Sequence, residues 1–210
     1  MLIPRLHAIT PDGLSPSRIL SVAESIVDVA DILHLRQKKW TSMQLWELVK
    51  EGEARGIPPQ KWIVNDRSDV AEAVHAYGTQ LTSHSMPADV IRAQYPKQII
   101  GVSVHQPGEA LDAERAGAHY VLYGHIYDTA SKIGIPARGL QGLAGCAEIL
   151  SHIPIIAIGG IEPMDIPNLL SAGAYGVAVM SSIWLVSDPR TAAKQYHEAL
   201  SATLDPSKVS

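Results

Sequence analysis

Cysteine is nearly absent. Cys146 is the only one in 210 residues, so no disulfide can form within the chain, the pattern of a reducing compartment. Runs of basic residues are missing too: 17 Lys and Arg stand against 21 Asp and Glu, a formal net charge of −4. That balance leaves no electrostatic footprint for nucleic acid or for an anionic membrane surface, and no helix-turn-helix pattern supports DNA reading. No apolar run approaches the roughly 18 residues that a bilayer span requires. The N-terminus, Met1-Leu2-Ile3-Pro4-Arg5, lacks a charged region followed by an apolar signal core. Nor does any linker, repeat or low-complexity segment divide the chain. The expectation is one domain over residues 1–210, cytoplasmic, with a frayed tail at Asp205–Ser210 and with neither nucleic acid nor membrane as partner.

What the chain has is alternation. Short apolar runs at Arg5–Thr10, Ile32–Arg36, Trp62–Asn65, Thr79–Leu81, Ile99–Ser103, Tyr120–Tyr123, Ile155–Ile158 and Gly176–Val179 read as strands. Most are continuously apolar, as parallel strands covered on both faces must be. Helical patterns separate them: Pro16–Val29, Ser42–Ala54, Asp69–Ala76, Pro87–Gln94, Pro107–Ala116, Leu140–Ser151, Pro163–Ser171 and Pro189–Leu204. Ser15-Pro16 and Asp188-Pro189 carry the polar cap and following proline of helix starts. Eight strand–helix units in about 200 residues predict an α/β fold, the (β/α)8 TIM barrel. An open doubly wound sheet would carry Gly-x-Gly-x-x-Gly after an early strand, and the chain has none.

In such barrels the reactive side chains gather where strands end. Arg36-Gln37-Lys38 follows the second strand and Asn65-Asp66-Arg67 the third. Ser103-Val104-His105 ends the fifth, and Gly124-His125 the sixth. Gly159-Gly160 ends the seventh, and Ser181-Ser182 follows the eighth. The last two pairs suit an anion, since barrels commonly bind phosphate with the loops after strands seven and eight. Gly159-Gly160 also serves a plain tight turn. The segment Tyr123–Thr129 sets His125 where a buried strand opens into a polar loop, and an imidazole there can take and return a proton near neutral pH.

Other residues have plainer readings. Asp66 can orient Arg67 or Lys38 in a structural ion pair, and His105 ranks behind His125 as an acid–base group. His34, His84 and His105 lack the spacing of a zinc signature. Cys146 reads as a small core residue, and Trp40, Trp46, Trp62 and Trp184 as packing between barrel and helices.

The stretches Leu35-Arg36-Gln37-Lys38, Val64–Ala71, Gly101–His105, Gly117–Val121, Ala157–Ile161 and Gly173–Ile183, in this order, resemble the thiamine phosphate synthase superfamily. The resemblance runs from about Leu6 to Ile183. Arg36, Lys38, Asn65, Ser103 and Lys132 are candidates to bind substrate: Lys38 takes an anionic group or is a solvated surface lysine, Asn65 and Ser103 hydrogen-bond the ring or carboxylate or complete their strand ends, and Lys132 lies on a loop that closes over the ligand or is simply exposed. Gly159, Gly160, Ser181 and Ser182 are candidates for the substrate's phosphate, and the resemblance implies a homodimer. Synthases of this superfamily couple a pyrimidine diphosphate to a thiazole phosphate, with magnesium held by two aspartates. Asp66 matches one; the place of the other reads Leu81-Thr82-Ser83-His84-Ser85-Met86, without a carboxylate. The glutamine two residues before the arginine is replaced by His34. After the sixth strand, Gly124-His125-Ile126-Tyr127 stands where synthases resemble Gly-Pro-Ile-Phe. That histidine, with Lys132–Leu140, is similar to the TenI-type thiazole tautomerases, the metal-free branch.

The resemblance therefore implies an isomerase: a tautomerase that aromatises a thiazole phosphate carboxylate in thiamine biosynthesis, with His125 as the catalytic proton carrier and with no cofactor and no metal. The alternatives are thiamine phosphate synthase itself, or a non-catalytic regulatory protein that binds thiazole phosphate.

Overall fold

A computed structural model describes residues 3–132 and 134–202. The predicted end of the last helix at residues 203–204 and the predicted frayed tail at 205–210 lie outside the described residues. Eight parallel strands close into a barrel in chain order: β1 (Leu6–Ile9), β2 (Ile32–Leu35), β3 (Trp62–Asn65), β4 (Gly78–Leu81), β5 (Ile99–Val104), β6 (Tyr120–Gly124), β7 (Ile155–Ile158) and β8 (Gly176–Val179), with β8 pairing back onto β1. The surrounding helices are α1 (Pro16–Ile26), α2 (Ser42–Ala54), α3 (Ser68–Ala73), α4 (Ala88–Gln94), α5 (Pro107–Arg115), α6 (Gly139–Ile149), α7 (Ile166–Ser171), α8 (Ser181–Trp184) and α9 (Pro189–Ala202). The expected (β/α)8 barrel is the observed fold.

Alternation within each strand divides the apolar side chains between two cores. On β1, Leu6 and Ala8 join the layer beneath the helices, while Ile9 joins an inner cluster with Ile32, Ile63, Ile99, Tyr120, Leu122, Ile156 and Ala178. The inward set also carries polar residues, because His7, His34 and Gln80 alternate in register with those apolar neighbours and are fully buried. Trp62 and Trp184 are buried in the outer layer and Trp40 packs against it, as expected; Trp46 departs, lying on α2 with 40% of its surface exposed.

Local signals explain the helix starts. Ser15 Oγ accepts from Arg18 N ahead of α1, Thr41 and Gln44 form a reciprocal capping box on α2, and Asp188 Oδ1 accepts from Thr191 N on α9. The α3 helix is shorter than its apolar pattern, ending at Ala73 before His75 takes a left-handed φ of 57°. Sequence periodicity also missed α8. Its single turn forms as Ile183 and Trp184 N–H groups return to the Met180 carbonyl and both side chains bury.

Candidate active site at the barrel mouth

The strand ends place most of the expected residues on one rim. Asn65 closes β3, Ser103 lies near the end of β5, and Gly124 closes β6 just before His125. Below the rim a polar chain crosses the barrel. Tyr120 Oη donates to Gln80 Oε1 at 2.7 Å, and Gln80 Nε2 donates to Ser103 Oγ at 3.0 Å. Gly101 makes that possible, for a Cβ there would overlap both the Tyr120 ring and the Gln80 amide. Burial raises the Tyr120 phenol well above its ordinary range, so it remains a donor at any working pH.

Beside this chain lies a second one. His7 Nε2 meets the Pro4 carbonyl at 3.0 Å, and His7 Nδ1 meets His34 Nε2 at 2.8 Å. Burial lowers His7 to about 4 and holds His34 well below its ordinary value, so both imidazoles are neutral.

The two basic residues after β2 are held by their backbones. Arg36 N donates to Thr10 Oγ1 at 2.8 Å, and Lys38 N donates to Asp12 Oδ1 at 3.0 Å, leaving the Lys38 side chain exposed. Gln37, between them, is structural: it accepts from Gly13 N and donates to the Pro11 carbonyl, tying the loop after β1 to the loop after β2.

Asp66 follows β3 with a left-handed φ of 60°, a conformation that aspartate tolerates better than most residues. Its Oδ1 accepts hydrogen bonds from the hydroxyls of Thr82 and Ser85, on the loop after β4. The expected ion pair of Asp66 with Arg67 or Lys38 is corrected, because Arg67 turns to Asp69 and Ser42 instead. Magnesium takes octahedral oxygen ligands, usually with one or two carboxylates beside substrate phosphates. Asp66 offers one carboxylate already engaged by two hydroxyls, the 81–86 segment supplies no second, and no group of three metal-ligating side chains exists among the described residues. A two-aspartate magnesium site does not fit these residues.

On the far side, His125 is buried, with Nε2 against the Ile135 carbonyl at 3.1 Å. A carbonyl can only accept, so that nitrogen carries the hydrogen. The His125 carbonyl in turn accepts from Arg138 N. The histidine pins the loop that carries Lys132, whose own side chain is exposed. The backbone N–H of His105 donates to Glu109 Oε2, and its ring Nδ1 faces the same oxygen across 3.7 Å.

The expected phosphate loops are neighbours, and the glycines have a structural reason as well. Gly159 (φ 104°) and Gly160 (φ 66°) pass so close to residues 125–128 that a Cβ on either would overlap them. Ser181 opens α8, and Ser182 on the same turn lies beside the Tyr196 hydroxyl. Tyr196 Oη donates to the Ile161 carbonyl at 2.8 Å, so one phenol on α9 holds the loop after β7 and lies beside the turn after β8. Sequence reading missed Tyr196. It stands in an amphipathic helix as an ordinary core position, and only its hydroxyl distinguishes it.

Residues 6–183 match the family model described as thiamine monophosphate synthase. The chain belongs to that family. Among its relatives, the thiamine-phosphate synthase of Pyrococcus abyssi is 35% identical over 95% of this chain and 96% of its own length. That of Chlorobium phaeovibrioides is 39% identical over 91% of each protein. The solved structure of a thiamine phosphate pyrophosphorylase from Pyrococcus furiosus superimposes with a TM-score of 0.82 at 31% identity, covering 96% of this chain and 97% of that one. A 3-hexulose-6-phosphate synthase structure, at 20% identity and a TM-score of 0.72, shares the fold alone.

These relatives overturn one expectation. The tautomerase reading makes the chain an isomerase, whereas family members similar over nearly its whole length are named synthases, which are transferases. The assignment of His125 as proton carrier for aromatisation goes with it. In the structure the side chain holds the Ile135 carbonyl through Nε2. No helix among the described residues is long and apolar enough to cross a membrane.

Proposed function

We propose that the chain is a thiamine-phosphate synthase, joining a pyrimidine diphosphate to a thiazole phosphate with release of diphosphate. The observation that carries this reading is the 35–39% identity, extending through 91–95% of the chain, to proteins of that name. In this reading Gly159, Gly160, Ser181 and Ser182 hold the thiazole phosphate with backbone N–H groups and hydroxyls, supported by the bond from Tyr196 to Ile161 that holds the loop after β7. Arg36, Lys38 and Lys132 supply the positive charge that a diphosphate requires, and Asn65 and Ser103 hydrogen-bond the ring. The protein works in the cytosol as a homodimer.

One observation favours a second reading. Asp66 is engaged by Thr82 and Ser85 without a carboxylate partner, which suits a barrel that binds thiazole phosphate without coupling it. One experiment separates the two. The purified chain is incubated with both substrates, with and without magnesium, and thiamine phosphate and diphosphate are quantified. Stoichiometric appearance of both establishes the synthase. Saturable binding of thiazole phosphate with no product under either condition overturns it in favour of the binding protein.

A further inference from the structure

The buried histidine chain has a direction, and the direction ends at Asn65. The Pro4 carbonyl can only accept, so His7 Nε2 carries its hydrogen. A neutral imidazole has one N–H, so His7 Nδ1 is bare and accepts from His34 Nε2–H. By the same rule His34 Nδ1 is bare. It is fully buried and has no hydrogen-bond partner.

Asn65 lies against His34, inward-facing at the end of the next strand, and its Oδ1 is likewise buried and unpartnered. With that oxygen inward, two acceptors lie buried side by side with no donor between them. A buried acceptor without a donor loses the hydrogen bonds it made in water and gains none, so the arrangement is disfavoured. Which end of an amide holds the oxygen is decided by the hydrogen-bond network around it. Exchanging the two ends lets Asn65 Nδ2 donate to His34 Nδ1 and satisfies the chain from Pro4 to the mouth. The other end of the amide meets the open rim, where Asn65 is partly exposed.

We propose that Asn65 points its amide nitrogen inward onto His34 and its carbonyl oxygen into the mouth, so that this position selects a hydrogen-bond donor on the ligand, an exocyclic N–H or O–H of a heterocycle, and disfavours a phosphate oxygen. His7 and His34 are positioning residues in this scheme. They touch no ligand and act by fixing the polarity of Asn65. The ligand half of the inference rests on the substrate-binding role proposed above for Asn65; the polarity half does not.

The test begins with the unmodified protein. Long-range 15N–1H correlation at neutral pH should show both His7 and His34 as Nε2–H tautomers, and a His34 carrying its hydrogen on Nδ1 would overturn the proposal. The ligand half is read with two matched probes, 4-aminopyrimidine and pyrimidine. The amino probe should bind about fivefold more tightly, the value of one net hydrogen bond, and Asn65→Leu should erase that preference. Equal binding of both probes by the unmodified protein sinks the ligand half. In His7→Leu, His34 should lose its single-tautomer signature, a change that loss of packing alone would not produce. Absence of coupling activity with the tautomers and probe preference intact removes the synthase reading and leaves this inference standing.

Discussion

Tyr120 donates its phenolic hydrogen to Gln80 Oε1 across 2.7 Å in the middle of the barrel, and that bond fixes the amide so that Nε2 reaches Ser103 Oγ at 3.0 Å and the Leu81 carbonyl at 3.4 Å. Both residues are fully buried, so neither can exchange its partner for water. Tyr120→Phe keeps the ring and strands Gln80 Oε1. The expected cost is about 1–3 kcal/mol, the desolvation penalty of one buried unsatisfied acceptor. Urea unfolding should show a lower midpoint at unchanged slope. A variant as stable as the parent would mean that Gln80 finds another donor and does not steer Ser103.

The paired histidines make stability depend on pH in a defined window. In the unfolded chain an imidazole takes its proton near pH 6.5, whereas burial lowers His7 in the fold to about 4 and keeps His34 well below its ordinary value. Between these limits the unfolded state binds more protons, so stability rises with pH. It should be fully present above 6.5 and lost progressively as the pH falls toward 4. For His7 the loss is roughly 3 kcal/mol, from a shift between 6.5 and about 4 at ~1.36 kcal/mol per unit. Denaturation midpoints measured from pH 7.5 to 4.5 should slope downward on acidification, and His7→Leu should flatten the slope. A midpoint independent of pH in the parent would contradict neutral burial.

The barrel was legible because its strands must be apolar on both faces, and their ends are where polar residues interrupt. Asn65, Ser103, Gly159 and Ser182 could be located on the rim by that rule alone. What could not be read was which partner each residue chose. Arg67 pairs with Asp69 rather than Asp66, and Gln37, flanked by two rim cations, turns inward to lock a loop. Those choices depend on distances between separate strand–helix units. His125 shows the same limit at the level of chemistry. An imidazole at a strand end suggests proton transfer, yet the contact its Nε2 makes is with a carbonyl ten residues away in sequence. The Tyr196 bond to the loop after β7 has no signature, because a tyrosine on a buried helix face looks like packing.

Cys146 is a core residue, and its surroundings make its inertness testable. It is fully buried on α6 beneath Tyr123, and burial pushes its thiol up to about 11. Only the thiolate reacts, so at pH 8 the native protein should be inert to an aromatic disulfide reagent over hours and should titrate one thiol on unfolding. Rapid reaction in the native state would show that α6 opens away from the barrel.

Gly159 and Gly134 share a backbone requirement but not a neighbourhood, and the difference isolates what the loop after β7 does. Both have positive φ, 104° and 77°. A Cβ at Gly134 meets nothing within 4 Å, whereas at Gly159 it overlaps the His125 Cβ and approaches its backbone. Gly134→Ala should therefore cost only the left-handed penalty, about 1–2 kcal/mol. Gly159→Ala adds a collision with a backbone that cannot swing aside as a flexible side chain would, so residues 125–128 must move. The expected result is greater destabilisation than in Gly134→Ala, together with at least tenfold weaker binding of thiazole phosphate, about 1.4 kcal/mol. The measurement is a calorimetric titration beside a denaturation curve for each variant. Unimpaired phosphate binding in Gly159→Ala would show that the 159–160 turn serves packing against His125 alone and contributes nothing to the ligand.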